Sequence, residues 1–268
     1  MLLDKDWICV FLGDTHTLGS TGIAIPGYAI QSEGGRPYSA SREQIWLYDC
    51  WMDFYNLVKQ YSTTYRIALM YGGDGIDGPG HHGTFQTMGD RSDAIAMTVS
   101  LFQPFNALAS ARLAVTGTSA HTGPAGDDDR IIAAELGAEI RDVWEDLVID
   151  GRKLLWSHHG VSVGQRENNK DGGSIARAKD KDEECTRFPD RYRPDTIISH
   201  DQHRSPEPVT IRNITVAVTP CWQMPTRWAV QKFPYKQVDI GGLMWHPKTN
   251  SIYRRIYPKL RMPVRELA

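Results

Sequence analysis

The sequence predicts a mixed α/β fold in which β-sheets pack together and helices cover their outer faces. In the first half of the chain, short apolar runs that end at glycine alternate with helical patterns. In the second half, most segments are strand-like and are separated by Gly and Pro. Hydrophobic residues make up 41% of the 268 residues, which is enough for a large core. The sequence shows no internal repeat, so we expect one continuous domain over residues 1–268.

Two short apolar runs predict buried strands over residues 7–12 and 67–71. Each run is followed by glycine and then by an aspartate, Asp14 after the first strand and Asp74 after the second. The two carboxylates are therefore expected at equivalent positions, just beyond the ends of two strands.

Helical spacing of apolar residues predicts a helix from Ser41 to about Tyr61, and Gln44 is in position to complete a capping box with Ser41. A second helix is expected over 92–111, bent near Pro104. The remaining elements are expected in this order: a strand over 112–116, a helix over 128–137, a hairpin of 143–149 and 153–157 around Asp150-Gly151, a strand over 196–199, and strand-like segments over 209–219, 237–245 and 251–257.

The stretch 164–195 differs from the rest of the chain. Half of its residues are charged, with equal numbers of each sign, and it has no sustained apolar period. We expect a charged surface excursion between two strands that carry site residues. Its position predicts that it forms a rim or cap that selects substrate.

Composition limits the partners and the compartment. Lys and Arg number 30 against 32 Asp and Glu, so the formal charge of −2 gives no general attraction to polyanions. A local basic patch over 253–265 is a candidate for nucleic acid, although a solvated tail is the favoured interpretation. The apolar run 7–12 is too short for a signal peptide or a membrane span, so no membrane partner is expected. The four cysteines form no C-x-x-C pair, which argues against a zinc knuckle or a disulfide framework and favours a cytoplasmic protein, in the host cytoplasm if the gene is phage-encoded.

Five predicted strand ends carry aspartate, histidine or hydroxyl side chains. In chain order these are Asp14-Thr15-His16, Gly73-Asp74, Gly117-Thr118-Ser119-Ala120-His121, Ser157-His158-His159 and Ser199-His200-Asp201-Gln202-His203. Loops at the carboxyl ends of strands converge on one crevice in α/β proteins, so we expect these groups to meet. Carboxylate oxygens and imidazole nitrogens suit Mn, Fe, Zn, Ni or Co, and one carboxylate can bridge two such ions.

The order and spacing of these groups resemble the calcineurin-like metallophosphoesterase superfamily, whose pattern is D-x-H, G-D, G-N-H-[DE], a lone H and then G-H-x-H. The resemblance covers roughly residues 7 to 204, and the run G-D-x-x-D-G followed by G-T-x-x-H resembles a variant found among phage and prophage members. It implies a four-layer αββα fold, in which a β-sandwich is flanked by helices. It also implies two divalent metal ions, with manganese expected and Fe, Zn, Ni or Co compatible.

The resemblance also assigns roles to residues. It implies that Asp14 and His16 bind the first metal ion and that Asp74 bridges the two ions. His158 and His200 would bind the second ion, and His203 would complete the first. Because Ser199 to His203 has one residue more than G-H-x-H, the division of His200 and His203 between the two ions stays open.

A second departure concerns the loop after the third strand. The asparagine of G-N-H-[DE] is missing, and His121 comes two places late. His121 is expected to act as general acid or transition-state donor. Further candidates, for substrate contact or for support behind the ligands, are Thr118, Ser119, His159, Asp77, His81 and His82.

The resemblance implies a metal-dependent phosphoric ester hydrolase acting on mono- or diesters, and a nucleotide or nucleic-acid phosphodiester is slightly favoured as substrate. Protein phosphatase activity is the alternative enzyme. The alternative outside enzymes is a non-catalytic phage protein on a decayed metallophosphoesterase fold, which the missing asparagine supports. The sequence gives no indication of the oligomeric state.

Overall fold

A computed structural model describes residues 5–78, 89–123, 125–142, 144–161, 171–232 and 237–258. The strands are β1 (Trp7–Leu12), β2 (Ala29–Ile30), β3 (Arg36–Pro37), β4 (Arg66–Tyr71), β5 (Ala109–Ala114), β6 (Glu139–Ile140), β7 (Trp144–Ile149), β8 (Arg152–Ser157), β9 (Thr196–Ser199), β10 (Val209–Ile211), β11 (Ile214–Val218), β12 (Gly241–His246) and β13 (Ser251–Ile256). The helices are α1 (Arg42–Ser62), α2 (Arg91–Leu108), α3 (Ser119–Thr122), α4 (Asp127–Leu136), α5 (Gly172–Arg187) and α6 (Arg227–Lys232).

Two mixed sheets form the centre of the fold. The six-stranded sheet has the order β13-β12-β1-β4-β5-β6, and the five-stranded sheet has the order β10-β11-β9-β8-β7. In the first sheet β1, β4, β5 and β6 are parallel neighbours, and in the second β8, β9 and β11 are. The strands that the sequence marks as site-bearing are therefore parallel within each sheet, and their carboxyl ends lie on one edge.

Successive side chains of each strand point to opposite faces of the sheet, and this divides the core into layers. In β1, Cys9 and Phe11 belong to an apolar cluster shared with Trp156 and Ile198 of the other sheet, and the rings of Phe11 and Trp156 are 6.0 Å apart. The alternate residues of β1 belong to a second cluster with residues of α1, α2 and α4. A third cluster covers the outer face of the five-stranded sheet and includes Ala178 of α5. The layers are helices, sheet, sheet and helix, so the predicted αββα fold class is confirmed.

The charge-rich stretch contributes one of these layers. Its described part contains α5, a 16-residue helix that the charge pattern did not predict. The buried positions of α5 are Ser174, Ala178, Asp182 and Cys185, so the helix packs through small and polar residues and shows no apolar stripe. Asp182 accepts hydrogen bonds from Arg193 and from Arg212, at 2.7 Å for Arg212.

Most predicted elements agree with the structure, and the capping box of Ser41 and Gln44 at the start of α1 is present. The prediction for residues 92–116 was wrong in its boundaries. The helix ends at Leu108 and the strand runs from Ala109 to Ala114, because pairing with β4 fixes its register. All four cysteines are buried and free. Among the described residues, no helix combines the length and the apolar character needed to cross a membrane.

Candidate metal centre

The loop after β1 and the loop after β4 run side by side. The backbone N–H of Asp14 donates to the carbonyl of Gly73 at 2.9 Å, and the N–H of His16 donates to the carbonyl of Asp74 at 3.1 Å. Asp14, His16 and Asp74 all have positive φ, at 49°, 44° and 52°. Non-glycine residues rarely adopt this conformation, and such strain is concentrated at functional sites. The loops thus hold both carboxylates buried at the same edge, 1% and 2% exposed.

His16 is oriented by a carboxylate behind it. Its Nδ1–H donates to Asp77 Oδ1 at 2.8 Å, and Gln223 Nε2 donates to the other oxygen of Asp77 at 3.2 Å. The far nitrogen, Nε2, then carries a lone pair and lies 3.3 Å from His203 Nε2. Carboxylate support on one nitrogen is the usual arrangement for a histidine that binds metal through the other. Asp77 therefore braces His16.

His158 is oriented in the same way by the backbone. Its Nδ1–H donates to the carbonyl of Gly72 at 2.6 Å, so Nε2 is turned toward Asp74 Oδ2 at 3.2 Å. The imidazole is fully buried at the end of β8. Both His16 and His158 thus have Nδ1 held by a fixed acceptor and Nε2 directed toward other candidate ligand groups.

Electrostatics couple these groups strongly. Burial, the largest single effect, would raise the pKa of Asp74, but the charge and hydrogen bond of His158 together with the charges of His16 and His121 outweigh it and lower the pKa to about 2. Burial would lower the pKa of His158, but the charge and hydrogen bond of Asp74 together with the charge of Asp14 and the Gly72 carbonyl outweigh it and raise the pKa to about 10. The pKa of Asp14 also lies well below its usual value, because hydrogen bonds to His200 and His203 outweigh the effect of burial. Protonated imidazoles therefore balance the charge of the buried carboxylates, and a divalent cation bound between them would displace these protons.

The described side chains form several overlapping groups whose ligand atoms all lie within 4.8 Å of one another. The groups are Asp14-His16-His203, His16-Asp74-His121, Asp14-Asp74-His158 and His158-His159-Asp201. Asp74 belongs to two of them, one on the His16 side and one on the His158 side. Nitrogen and carboxylate donors of this kind fit first-row divalent metals, so the donor set suits the ions that the motifs imply.

His121 lies beside the first of these positions. It is in α3, its Nδ1 is 3.1 Å from Asp77 Oδ1, and its ring centroid is 4.6 Å from that of His16. The side chain is 14% exposed. Burial alone would lower its pKa, but the hydrogen bond to Asp77 and the charge of Asp74 raise it. The ring is therefore close enough to the ligand groups to reach a bound substrate.

Thr118 stands where the family pattern has asparagine. Its backbone N–H donates to Asp74 Oδ1 at 2.6 Å, and its hydroxyl lies 3.3 Å from His158 Nε2 and 3.4 Å from His159 Nε2. A hydroxyl oxygen thus lies close to the ring nitrogens of the two adjacent histidines. Ser119 is exposed at the start of α3.

The structure does not place His200 in any of the four groups. Trp156 Nε1–H donates to His200 Nε2 at 3.2 Å, and His200 Nδ1–H donates to the hydroxyl of Thr219 at 2.9 Å. Burial lowers the pKa of His200, and its Nδ1 also lies 3.4 Å from Asp14 Oδ2. Asp201 belongs to the group with His158 and His159, and it has a positive φ of 72°.

One supporting residue was missed by the sequence reasoning. Asp129 of α4 is fully buried, and its carboxylate accepts the backbone N–H groups of Asp74 (3.2 Å), Gly75 (3.2 Å) and Gly117 (2.7 Å), together with the hydroxyl of Tyr71. Burial and the charge of Asp74 raise its pKa to about 6. It ties the loops after β4 and β5 together. The available signal was the run of aspartates at the start of a helix, which had an ordinary explanation as helix capping.

A cavity of about 480 Å³ opens beside His159, between α5 and the strands β7 and β8. Its lining includes the cationic side chains Arg177, Lys181 and Arg191 and the ring of Tyr192. Glu184 forms ion pairs with Lys181 and Arg191 at 3.2 and 3.1 Å. The described part of the charge-rich stretch therefore lines a cavity next to His159.

Some candidates lie outside the described residues. His81 and His82 are among them, as are residues 259–265 of the basic patch. In the described part of that patch, Arg254 forms an ion pair with Glu207, and Arg255 forms one with Asp53 at 3.1 Å.

No family model matches the chain, and no curated protein matches it. Among solved structures it is similar to an archaeal phosphodiesterase, with 9% identity over 93% of this chain and 99% of that chain and a TM-score of 0.46. It is also similar to Vps29 of Chaetomium thermophilum, with 8% identity, 94% and 95% coverage and a TM-score of 0.42. A 5'-nucleotidase precursor of Thermus thermophilus gives 8% identity, 93% and 54% coverage and a TM-score of 0.42. The two facing sheets, the helices on both outer sides and the candidate site at the carboxyl ends of the parallel strands form the four-layer αββα arrangement that the sequence motifs imply.

Proposed function

We propose that the protein is a phosphoric ester hydrolase that depends on two divalent metal ions. The observation that carries the proposal is the position of Asp74, a buried carboxylate shared by one ligand group on the His16 side and another on the His158 side. Asp14, His16 and His203 would hold one ion with Asp74, and His158 would hold the other with it. Divalent cations in such a pair supply Lewis-acid charge to the phosphoryl oxygens and lower the pKa of a water molecule to near neutrality.

The chain's own residues define the rest of the mechanism. Asp77 and the carbonyl of Gly72 fix the rings of His16 and His158, so that the ligand atoms need no reorganisation. His121 is placed to donate a proton to the leaving oxygen, since it is next to the His16 ring and its pKa is raised. Positioned general acids typically contribute about 10²–10⁴-fold to rate.

Within this reaction class, a nucleotide or nucleic-acid phosphodiester is our proposed substrate, and manganese is our proposed metal. The phage-type placement that the motifs indicate supports this choice. Phosphomonoesters and phosphoproteins are the alternatives for the same site, and a non-catalytic metal-binding protein is the alternative outside enzymes.

The test compares the wild-type protein with Asp74→Asn, after chelator treatment and reloading with Mn²⁺. The asparagine keeps an oxygen that can accept from Thr118 N–H, so the loop contact survives while the bridging charge is lost. We expect two ions per wild-type chain and hydrolysis of bis-p-nitrophenyl phosphate. In Asp74→Asn we expect turnover lower by several orders of magnitude and the loss of at least one ion. Asp49→Asn, at an exposed position on α1, is the matched control.

Two outcomes contradict the proposal. A folded Asp74→Asn protein with near-normal turnover and two ions would remove the bridging role. Two ions without hydrolysis of any of p-nitrophenyl phosphate, bis-p-nitrophenyl phosphate, cyclic nucleotides, single-stranded DNA or a phosphopeptide would favour the non-catalytic alternative.

A further inference from the structure

We propose that the cavity beside His159 is a subsite for the nucleotide next to the scissile phosphodiester, so that the substrate is a single-stranded nucleic acid. In this subsite Arg177 binds a second phosphate of the strand, and the base lies against the ring of Tyr192. The inference rests on the proposed function, because the scissile phosphate is the one that the metal centre would hold. It adds the part of the substrate that the metal ligands do not contact.

The cavity lies next to the candidate metal centre. His159 lines it, and the centroid of the His159 ring is 4.6 Å from that of His158. The side chain of His159 is 48% exposed, so a strand can pass over it from the centre into the cavity. The volume of about 480 Å³ falls in the range of pockets that hold small organic ligands, so a nucleoside fits together with a phosphate.

Arg177 supplies a positive charge to this cavity that the other lining residues do not neutralise. Glu184 forms ion pairs with Lys181 and Arg191. Burial raises the pKa of Asp146, and the charge of Lys181 opposes this effect. Among the described residues, no carboxylate forms an ion pair with Arg177, and its buried Nε–H has no hydrogen-bond acceptor. A buried charged donor without an acceptor is costly, and the oxygens of a phosphate match the guanidinium group.

A second part of the lining is apolar and already fixed in position. It is formed by Leu155 and the ring of Tyr192. The hydroxyl of Tyr192 donates to the carbonyl of Leu147 in β7, and Lys153 Nζ lies 5.7 Å from the centroid of the ring. Aromatic rings beside basic groups are the usual platform on which the bases of single strands stack. A base reaches such a surface only when it is unpaired, so the strand that binds here is single.

The first experiment measures binding without turnover. A short fluorescent oligothymidylate is titrated with the chelator-treated protein and followed by fluorescence anisotropy. We expect Kd to rise by about 10–100-fold in Arg177→Ala, which is the loss of a charge-assisted hydrogen bond. Arg177→Gln should show the same loss, and it serves as the second variant if the alanine does not fold. The matched control is Arg187→Ala, an exposed arginine of α5, which removes the same charge and should leave Kd nearly unchanged.

The second experiment measures turnover by the Mn²⁺-loaded protein. For the oligothymidylate, Arg177→Ala should raise KM by the same factor and leave kcat unchanged, because the lost contact is equal in the ground state and the transition state. For bis-p-nitrophenyl phosphate, which has no second phosphate, kcat/KM should match that of the wild type. Tyr192→Phe keeps the ring and should behave as the wild type, whereas Tyr192→Leu should lower kcat/KM for the oligothymidylate alone by ~5–100-fold.

Four outcomes would overturn the inference. They are a wild type that binds no oligothymidylate, Arg177 variants that bind and cleave it as the wild type does, an equal loss of turnover on both substrates, and stronger competition by a phosphopeptide than by unlabelled oligothymidylate. Hydrolysis of bis-p-nitrophenyl phosphate together with any of the first two leaves the proposed function standing. Conversely, binding that depends on Arg177 in a protein that hydrolyses nothing would refute the proposed function and leave the subsite standing.

Discussion

Asp129 offers a sharp test of how the site is held together. Its carboxylate accepts four hydrogen bonds, and Asp129→Asn replaces one acceptor oxygen by an amino group of almost the same shape. In either orientation of the amide, two of the four donors face an amino group and lose their acceptor. The N–H groups of Asp74, Gly75 and Gly117 are buried, so solvent does not replace the lost bond.

The magnitude follows from two opposing effects. Two lost hydrogen bonds to a charged group remove about 3–6 kcal/mol. Relief of the buried charge offsets part of this, because burial and the nearby charge of Asp74 raise the pKa of Asp129 to about 6. We therefore expect the free energy of unfolding to fall by about 2 kcal/mol, which corresponds to about 4–8 °C in Tm for a chain of this size.

The assay is thermal unfolding of the metal-free protein together with turnover of the Mn²⁺-loaded protein. Because the loops bearing Asp74 and Gly117 lose their common anchor, we expect kcat to fall by about 10²-fold, the effect of a misplacement near 1 Å. The control is Asp127→Asn, an exposed aspartate in the same helical turn, which should change stability by less than about 0.5 kcal/mol. A variant of Asp129 as stable and as active as the wild type would refute the anchoring role.

Three further predictions concern other parts of the molecule. His121→Ala should retain both ions and slow esters with poor leaving groups by about 10²–10⁴-fold more than p-nitrophenyl esters; uniform slowing with loss of an ion would instead make His121 a ligand. The pKa of Asp182 is lowered by its hydrogen bonds to Arg212 and Arg193, so its contribution to stability is present above the unfolded pKa of about 4 and is lost as the pH falls through the folded value. Urea unfolding should therefore show that the free energy of unfolding falls less between pH 7 and pH 3 for Asp182→Asn than for the wild type. An equal fall in the two proteins would contradict this. Lys181→Ala, in the cavity beside His159, should change relative rates among phosphate esters while metal content stays constant; identical relative rates would argue against a selecting rim.

The local elements and their order could be predicted because each depends on nearby residues. Apolar runs that end at glycine predict β1 and β4, and the Asp150-Gly151 turn predicts the hairpin of β7 and β8. α5 could not be predicted from an apolar stripe, since it packs through Ser174 and Ala178 and is held by ion pairs of Asp182. Such a helix depends on partners that are distant in sequence.

The convergence of the aspartates and histidines could also be predicted, because parallel strands deliver their carboxyl ends to one edge. The contacts that hold the loops and rings of the candidate site could not be predicted. Asp129 reaches the loop of Asp74 from a helix that begins 53 positions later in the chain, and its partners are backbone N–H groups, which leave no mark in the sequence. The hydrogen bond from His158 to the Gly72 carbonyl also involves a backbone group, so the sequence does not reveal it either.

The orientation of His200 follows from strand alternation, which a comparison of motifs overlooks. Ile198 of β9 faces the other sheet, and the backbone N–H of His200 continues the pairing by donating to the carbonyl of His158 at 2.9 Å. His200 therefore shares the inward direction of Ile198, beside Trp156, and its ring enters the core. The indole of Trp156 therefore holds Nε2 of His200, and the other ring nitrogen, Nδ1, lies 3.4 Å from Asp14 Oδ2 at the candidate centre. The chain turns at the next residue, Asp201, whose φ is positive.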